Sequence, residues 1–171
     1  IFLLFIFLGV IAYMDILQYF VGEEYRSGLK VVPILLAANL CLGVYYNLSI
    51  WYKVSDKTIY GAYISIIGAV VTLVLNYLLV PQFGYMGAAY TTLICYFLIM
   101  VICWAFGQKY YPVKYPLKRL FLYTMLAFGL FLLMNNNTIA NIPLKLFVNS
   151  ILLLAFAAVA YWFELRKALK R

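Results

Sequence analysis

Charged residues in this chain fall almost wholly in the gaps between long apolar runs. That arrangement leaves few folds open. A backbone inside hydrocarbon must satisfy its own polar groups, so an apolar run of this kind forms a helix. Six such runs can be marked, at residues 1–21, 31–52, 60–80, 85–107, 118–134 and 142–163. Each has the length that crosses a hydrocarbon layer of about 30 Å. The fifth is short and extends toward the Asn run at Asn135, Asn136 and Asn137. A transmembrane barrel would need short alternating segments, whereas these runs are continuous. The expected fold class is all-α: a polytopic membrane helix bundle of about six transmembrane helices, forming one transmembrane region over residues 1–171.

Composition supports this reading. Hydrophobic residues make up 68% and charged residues 11% of the 171, with a mean hydropathy of +1.00. A soluble domain could not cover its surface with so few charges. The net charge of +8 raises the possibility of nucleic-acid binding. The basic residues are scattered at the ends of apolar runs and form no continuous stripe, so no nucleic-acid partner is expected. The chain opens Ile1-Phe2-Leu3-Leu4, without Met or a basic leader, and is expected to be a piece of a longer polytopic protein.

The basic residues also orient the bundle. Lys53, Lys57, Lys109, Lys114, Lys118, Arg119, Arg166, Lys167, Lys170 and Arg171 fall on one side, and Arg26, Lys30 and Lys145 on the other. The richer side is expected to be cytoplasmic, which places the C-terminus there. Trp51-Tyr52-Lys53 and the Lys-Tyr alternation from Lys109 to Tyr115 fit an interfacial belt. The second of these is read either as an anchor or as a strip that meets anionic lipid headgroups.

Several polar residues inside the runs are candidates for function. Asp15 is the one acid well inside a run. A central charge costs on the order of 3 kcal/mol on insertion scales, so Asp15 calls for a partner or a water path. It either binds a coupling H+ or Na+, or sits near the outer interface. Asn39, Gly43 and Asn47 share a helical face, with Tyr46 beside it. That face either lines a wet cavity or bonds between helices. Gly61, Ser65, Gly68, Thr72 and Asn76 form a small-residue stripe, answered by Gly87, Thr91 and Cys95. Such stripes let membrane helices approach closely, and a sliding contact during transport is compatible with that. Pro81 and Gly84 are expected to end the third helix and turn the chain into the fourth.

Enzyme signatures are missing from the sequence. It holds no His, no Gly-rich phosphate loop and no metal-ligand spacing among Cys41, Cys95 and Cys103. Neither an enzymatic activity, a metal nor a cofactor is expected.

Residues 76–92 read Asn76-Tyr-Leu-Leu-Val-Pro81-Gln-Phe-Gly84-Tyr-Met-Gly87-Ala88-Ala89-Tyr-Thr-Thr92. This resembles the Asn-x4-Pro-x2-Gly-x2-Gly-Ala-Ala-x-x-Thr junction of polysaccharide flippases, within the multidrug/oligosaccharidyl-lipid/polysaccharide exporter superfamily. The resemblance implies a two-lobed transporter of 12–14 helices that moves lipid-linked oligosaccharide by alternating access. It implies roles in O-antigen, lipopolysaccharide or other surface polysaccharide biosynthesis at a bacterial inner membrane. On that likeness the chain is the C-terminal part, lacking the N-terminal lobe. Asn76, Pro81, Gly84, Gly87, Ala88 and Ala89 would be structural, forming the turn and the close helix contact. The alternatives are a cation-coupled multidrug exporter of the same superfamily and a non-transporting membrane scaffold.

Overall fold

A computed structural model describes residues 2–110, 112, 117–135 and 142–168. All the elements within them are helices: α1 (Phe2–Ala12), α2 (Met14–Phe20), a 3-10 helix (Glu23–Val31), α3 (Val32–Leu48), α4 (Ile50–Val54), α5 (Ile59–Phe83), α6 (Tyr85–Tyr110), α7 (Leu117–Asn135) and α8 (Ile142–Ala168). Four stretches among the described residues are long and apolar enough to cross a membrane: Glu23–Val54, Ile59–Phe83, Tyr85–Tyr110 and Leu144–Trp162. The α1–α2 pair makes a fifth if its two halves count as one span. The expected fifth run is helical, forming α7, with its described apolar stretch at Leu120–Met134.

The structure departs from the sequence expectation at three places. The first run does not form one straight helix, because α1 and α2 meet at 67°. The segment after α2, expected as a charged loop, holds the 3-10 helix. In such a helix residues three apart eclipse, which brings Arg26 Nη1 to 3.6 Å from Glu23 Oε1. Pro81 does not stop α5, which continues to Phe83. Proline removes one ladder donor, and the helix closes its last turn beyond it with Gly84 N–H on the Val80 carbonyl at 2.8 Å.

The chain divides into two compact units, Ile1–Arg26 with Pro116–Arg171, and Ser27–Tyr115. In the first, α1 packs on both α7 and α8. Leu8 and Phe156 are almost wholly buried there, and the Phe7 and Phe131 rings lie 5.9 Å apart.

In the second unit, α6 packs against both α3 and α5. One residue, Gly84, reverses the chain between α5 and α6. Its φ of 55° and ψ of −134° belong to a region open essentially to glycine. Gly87 then sits directly on the α5 backbone. A Cβ there would lie 2.7 Å from the Leu79 carbonyl carbon and 3.1 Å from the Val80 nitrogen. Farther along the pair, Ile99 and Cys95 fill the notch at Gly68. Cys95 donates to the Gly68 carbonyl at 3.3 Å, and Thr72 Oγ1 lies 3.1 Å from Cys95 Sγ.

The opposite end of this unit is aromatic. Two consecutive rings of α4 wedge into two neighbours. Tyr52 lies against Gly61 of α5, where a Cβ would approach its ring to 2.9 Å. Trp51 lies against Gly107 of α6, where a Cβ would come within 3.1 Å of the indole. The Trp51 ring also stacks on Tyr110 at 6.0 Å and 15°. Gly61 thus receives a ring from α4, whereas Gly68 and Thr72 of the same stripe face α6.

Candidate functional site: the broken helix

The bend between α1 and α2 contains no proline. One cause of a sharp kink without proline is a side chain that inserts into the hydrogen-bond ladder. The ladder of α1 ends with Tyr13 N–H on the Gly9 carbonyl at 3.2 Å. It resumes with Ile16 and Leu17 N–H, both on the Tyr13 carbonyl at 3.0 Å. Ile16 therefore turns to Tyr13 and leaves the Ala12 carbonyl free of the helix. The Asn149 side chain of α8 fills that vacancy, donating from Nδ2 at 3.2 Å.

Two more contacts join α8 to the same break. The Tyr13 and Ser150 hydroxyls lie 3.0 Å apart. Lys145 Nζ lies 2.8 Å from Asp15 Oδ2, with both side chains about three-quarters buried. Lys145 and Asn149 are four apart, so α8 presents a cation and an amide on one face. Asn149 is 2% exposed, and its Oδ1 has no hydrogen-bond partner among the described residues. The remaining bonds of α2 are local: Gln18 Nε2 donates to the Asp15 carbonyl and Arg26 Nε to the Gln18 carbonyl.

Chemically, this is a polar knot in an apolar unit. It holds an ion pair, a buried amide and a backbone carbonyl released from its helix. Discontinuous membrane helices place such groups where ions and polar substrates pass. The sequence reading singled out Asp15 and its need for a partner. It did not assign Tyr13, Lys145, Asn149 or Ser150 to this site. The one legible signal was the i, i+4 spacing of Lys145 and Asn149.

The other candidates lie in the second unit. Asn39 and Asn47 are exposed, and each turns its amide back on its own helix, to the Leu35 and Gly43 carbonyls at 2.9 Å. Tyr46 is exposed between them. Ser65 is exposed too and bonds the Gly61 carbonyl, while Ala89 is buried and Pro81 and Ala88 are exposed. Asn76 Oδ1 and Thr91 Oγ1 are buried without partners among the described residues. The Lys-Tyr strip from Tyr111 to Tyr115 lies, apart from Pro112, outside the described residues.

Compared with known protein families, with curated proteins and with solved structures, the chain matches none of them.

Proposed function

We propose that this chain is part of a membrane transporter that flips a lipid-linked oligosaccharide for surface polysaccharide synthesis. The α5–α6 hairpin carries the reading. Residues 76–92, which resemble the flippase junction, form a one-residue reversal at Gly84 with Gly87 seated on the Leu79 carbonyl. Every glycine in that stretch has a geometric reason to be glycine. Basic residues gathered on one side support a multi-pass inner-membrane protein with a cytoplasmic C-terminus.

The broken first helix fits the same reading. A transporter that rocks between two states needs elements with alternative arrangements, and a bend closed by side chains from α8 is one such element. The ion pair also bears on the cation-coupled exporter. That alternative requires an acid free to exchange a cation, and Asp15, its candidate, is held by Lys145 at 2.8 Å.

Deleting the gene tests the proposal. Surface polysaccharide should be lost and should return on complementation. Normal surface polysaccharide in a clean deletion would overturn the proposal. The exporter reading gains if Asp15→Asn abolishes drug resistance conferred by the intact gene while surface polysaccharide is unchanged.

A further inference from the structure

We infer that the aromatic end of the second unit is a binding site for an anionic phospholipid, its phosphate held between Lys57 and Lys109 over the Tyr110 ring. Lys57 Nζ lies 4.4 Å and Lys109 Nζ 5.7 Å from the centroid of that ring. Two ammonium groups thus lie close to one aromatic ring, at most about 10 Å from each other. The ring quadrupole attracts each cation but does not cancel their mutual repulsion. Among the described residues neither lysine forms an ion pair, although exposed Asp56 neighbours Lys57 in the chain. Two neighbouring cations lacking a counter-charge are complementary to a phosphate.

The surroundings favour a lipid over a free anion. Tyr110 is fixed by Trp51 and by Tyr60, whose ring lies 5.0 Å away. Tyr60 in turn meets Tyr63 at 6.5 Å. From this end an apolar stripe runs along α5 through Ile59, Tyr63, Ile66, Val70, Leu73 and Tyr77, each more than half exposed. Their spacing alternates four and three, so they share one face. A headgroup at the lysines would lay an acyl chain along that stripe. Lys57 and Lys109 also belong to the basic side of the chain, where anionic lipid would meet them. The inference rests on the membrane reading and is independent of any transported substrate.

Native mass spectrometry of the full chain, released from mixed micelles containing equal phosphatidylglycerol and phosphatidylcholine, tests it. The chain should retain phosphatidylglycerol in preference to phosphatidylcholine. Lys57→Gln with Lys109→Gln should reduce that preference on the order of ten-fold. Lys57→Arg with Lys109→Arg should keep it, which separates loss of the site from loss of the fold. Lys30→Gln, removing a cation elsewhere, should leave it unchanged. The inference is overturned if the double glutamine variant keeps the preference. It is equally overturned if Lys30→Gln lowers the preference as much, or if millimolar inorganic phosphate displaces the lipid.

Discussion

Asn149 donates its side-chain amide to the carbonyl of Ala12 at 3.2 Å, across 137 residues of sequence. The carbonyl is available because the helix breaks there, and the break persists because the carbonyl is occupied. Removing the amide should expose this interdependence. Asn149→Leu is expected to destabilise the chain by about 1–3 kcal/mol, the cost of stranding a buried polar group. Thr91→Val is the matched comparison, since Thr91 is fully buried but its hydroxyl has no partner among the described residues. It should be neutral or slightly stabilising. Thermal unfolding in detergent would compare the two, and equal losses would contradict the assignment.

The Asp15–Lys145 pair should behave as a coupled unit. Asp15→Asn or Lys145→Gln alone leaves one charge in a mostly buried setting, and each should cost about 1–2 kcal/mol. The double variant should cost less than the two singles together, with a coupling of about 1 kcal/mol. Additive losses in the cycle would mean that the two charges act separately.

Glycine positions should divide by what surrounds them. Gly87→Ala forces a Cβ into the Leu79 and Val80 backbone and should cost more than about 2 kcal/mol. Gly84→Ala meets no atom but must adopt φ 55°, and should cost about 1–3 kcal/mol. Gly129→Ala, inside α7 with open space at its Cβ, should instead gain up to about 1 kcal/mol from helix propensity. Unfolding midpoints for the three would rank them, and a different order would count against the hairpin geometry.

Tyr52 and Gly61 form a matched wedge and notch. Gly61→Ala should destabilise, because its Cβ would stand 2.9 Å from the Tyr52 ring. Tyr52→Leu should reduce that penalty by removing the ring. A double-mutant cycle on these residues should give a coupling of about 0.5–2 kcal/mol, whereas no coupling would place the ring elsewhere.

What the sequence discloses follows from the range of the forces involved. The long helices α3, α5, α6, α7 and α8 were legible because burial of an apolar run is a property of the run itself. The turn at Gly84 was legible because only glycine takes that backbone conformation. The bend at Tyr13 was not, since nothing local marks it and its stabilising groups lie on α8. Asp15 signalled its need for a partner, but the partner's identity came only from the packing of α1, α2 and α8. Pro81 misled in the opposite direction. A proline so near a helix end removes one bond, which α5 survives for two further residues.

The single-residue reversal at Gly84 also sets where the α5–α6 pair carries charge. No charged residue lies between Lys57 and Lys109, and the tip between α5 and α6 holds only uncharged side chains such as Gln82 and Tyr85. The two helices therefore form a folded-over pair whose closed end is free of charge and whose open end is bounded by two lysines. Any passage of that closed tip through lipid would carry no ionic side chain with it, only polar groups such as the Gln82 amide.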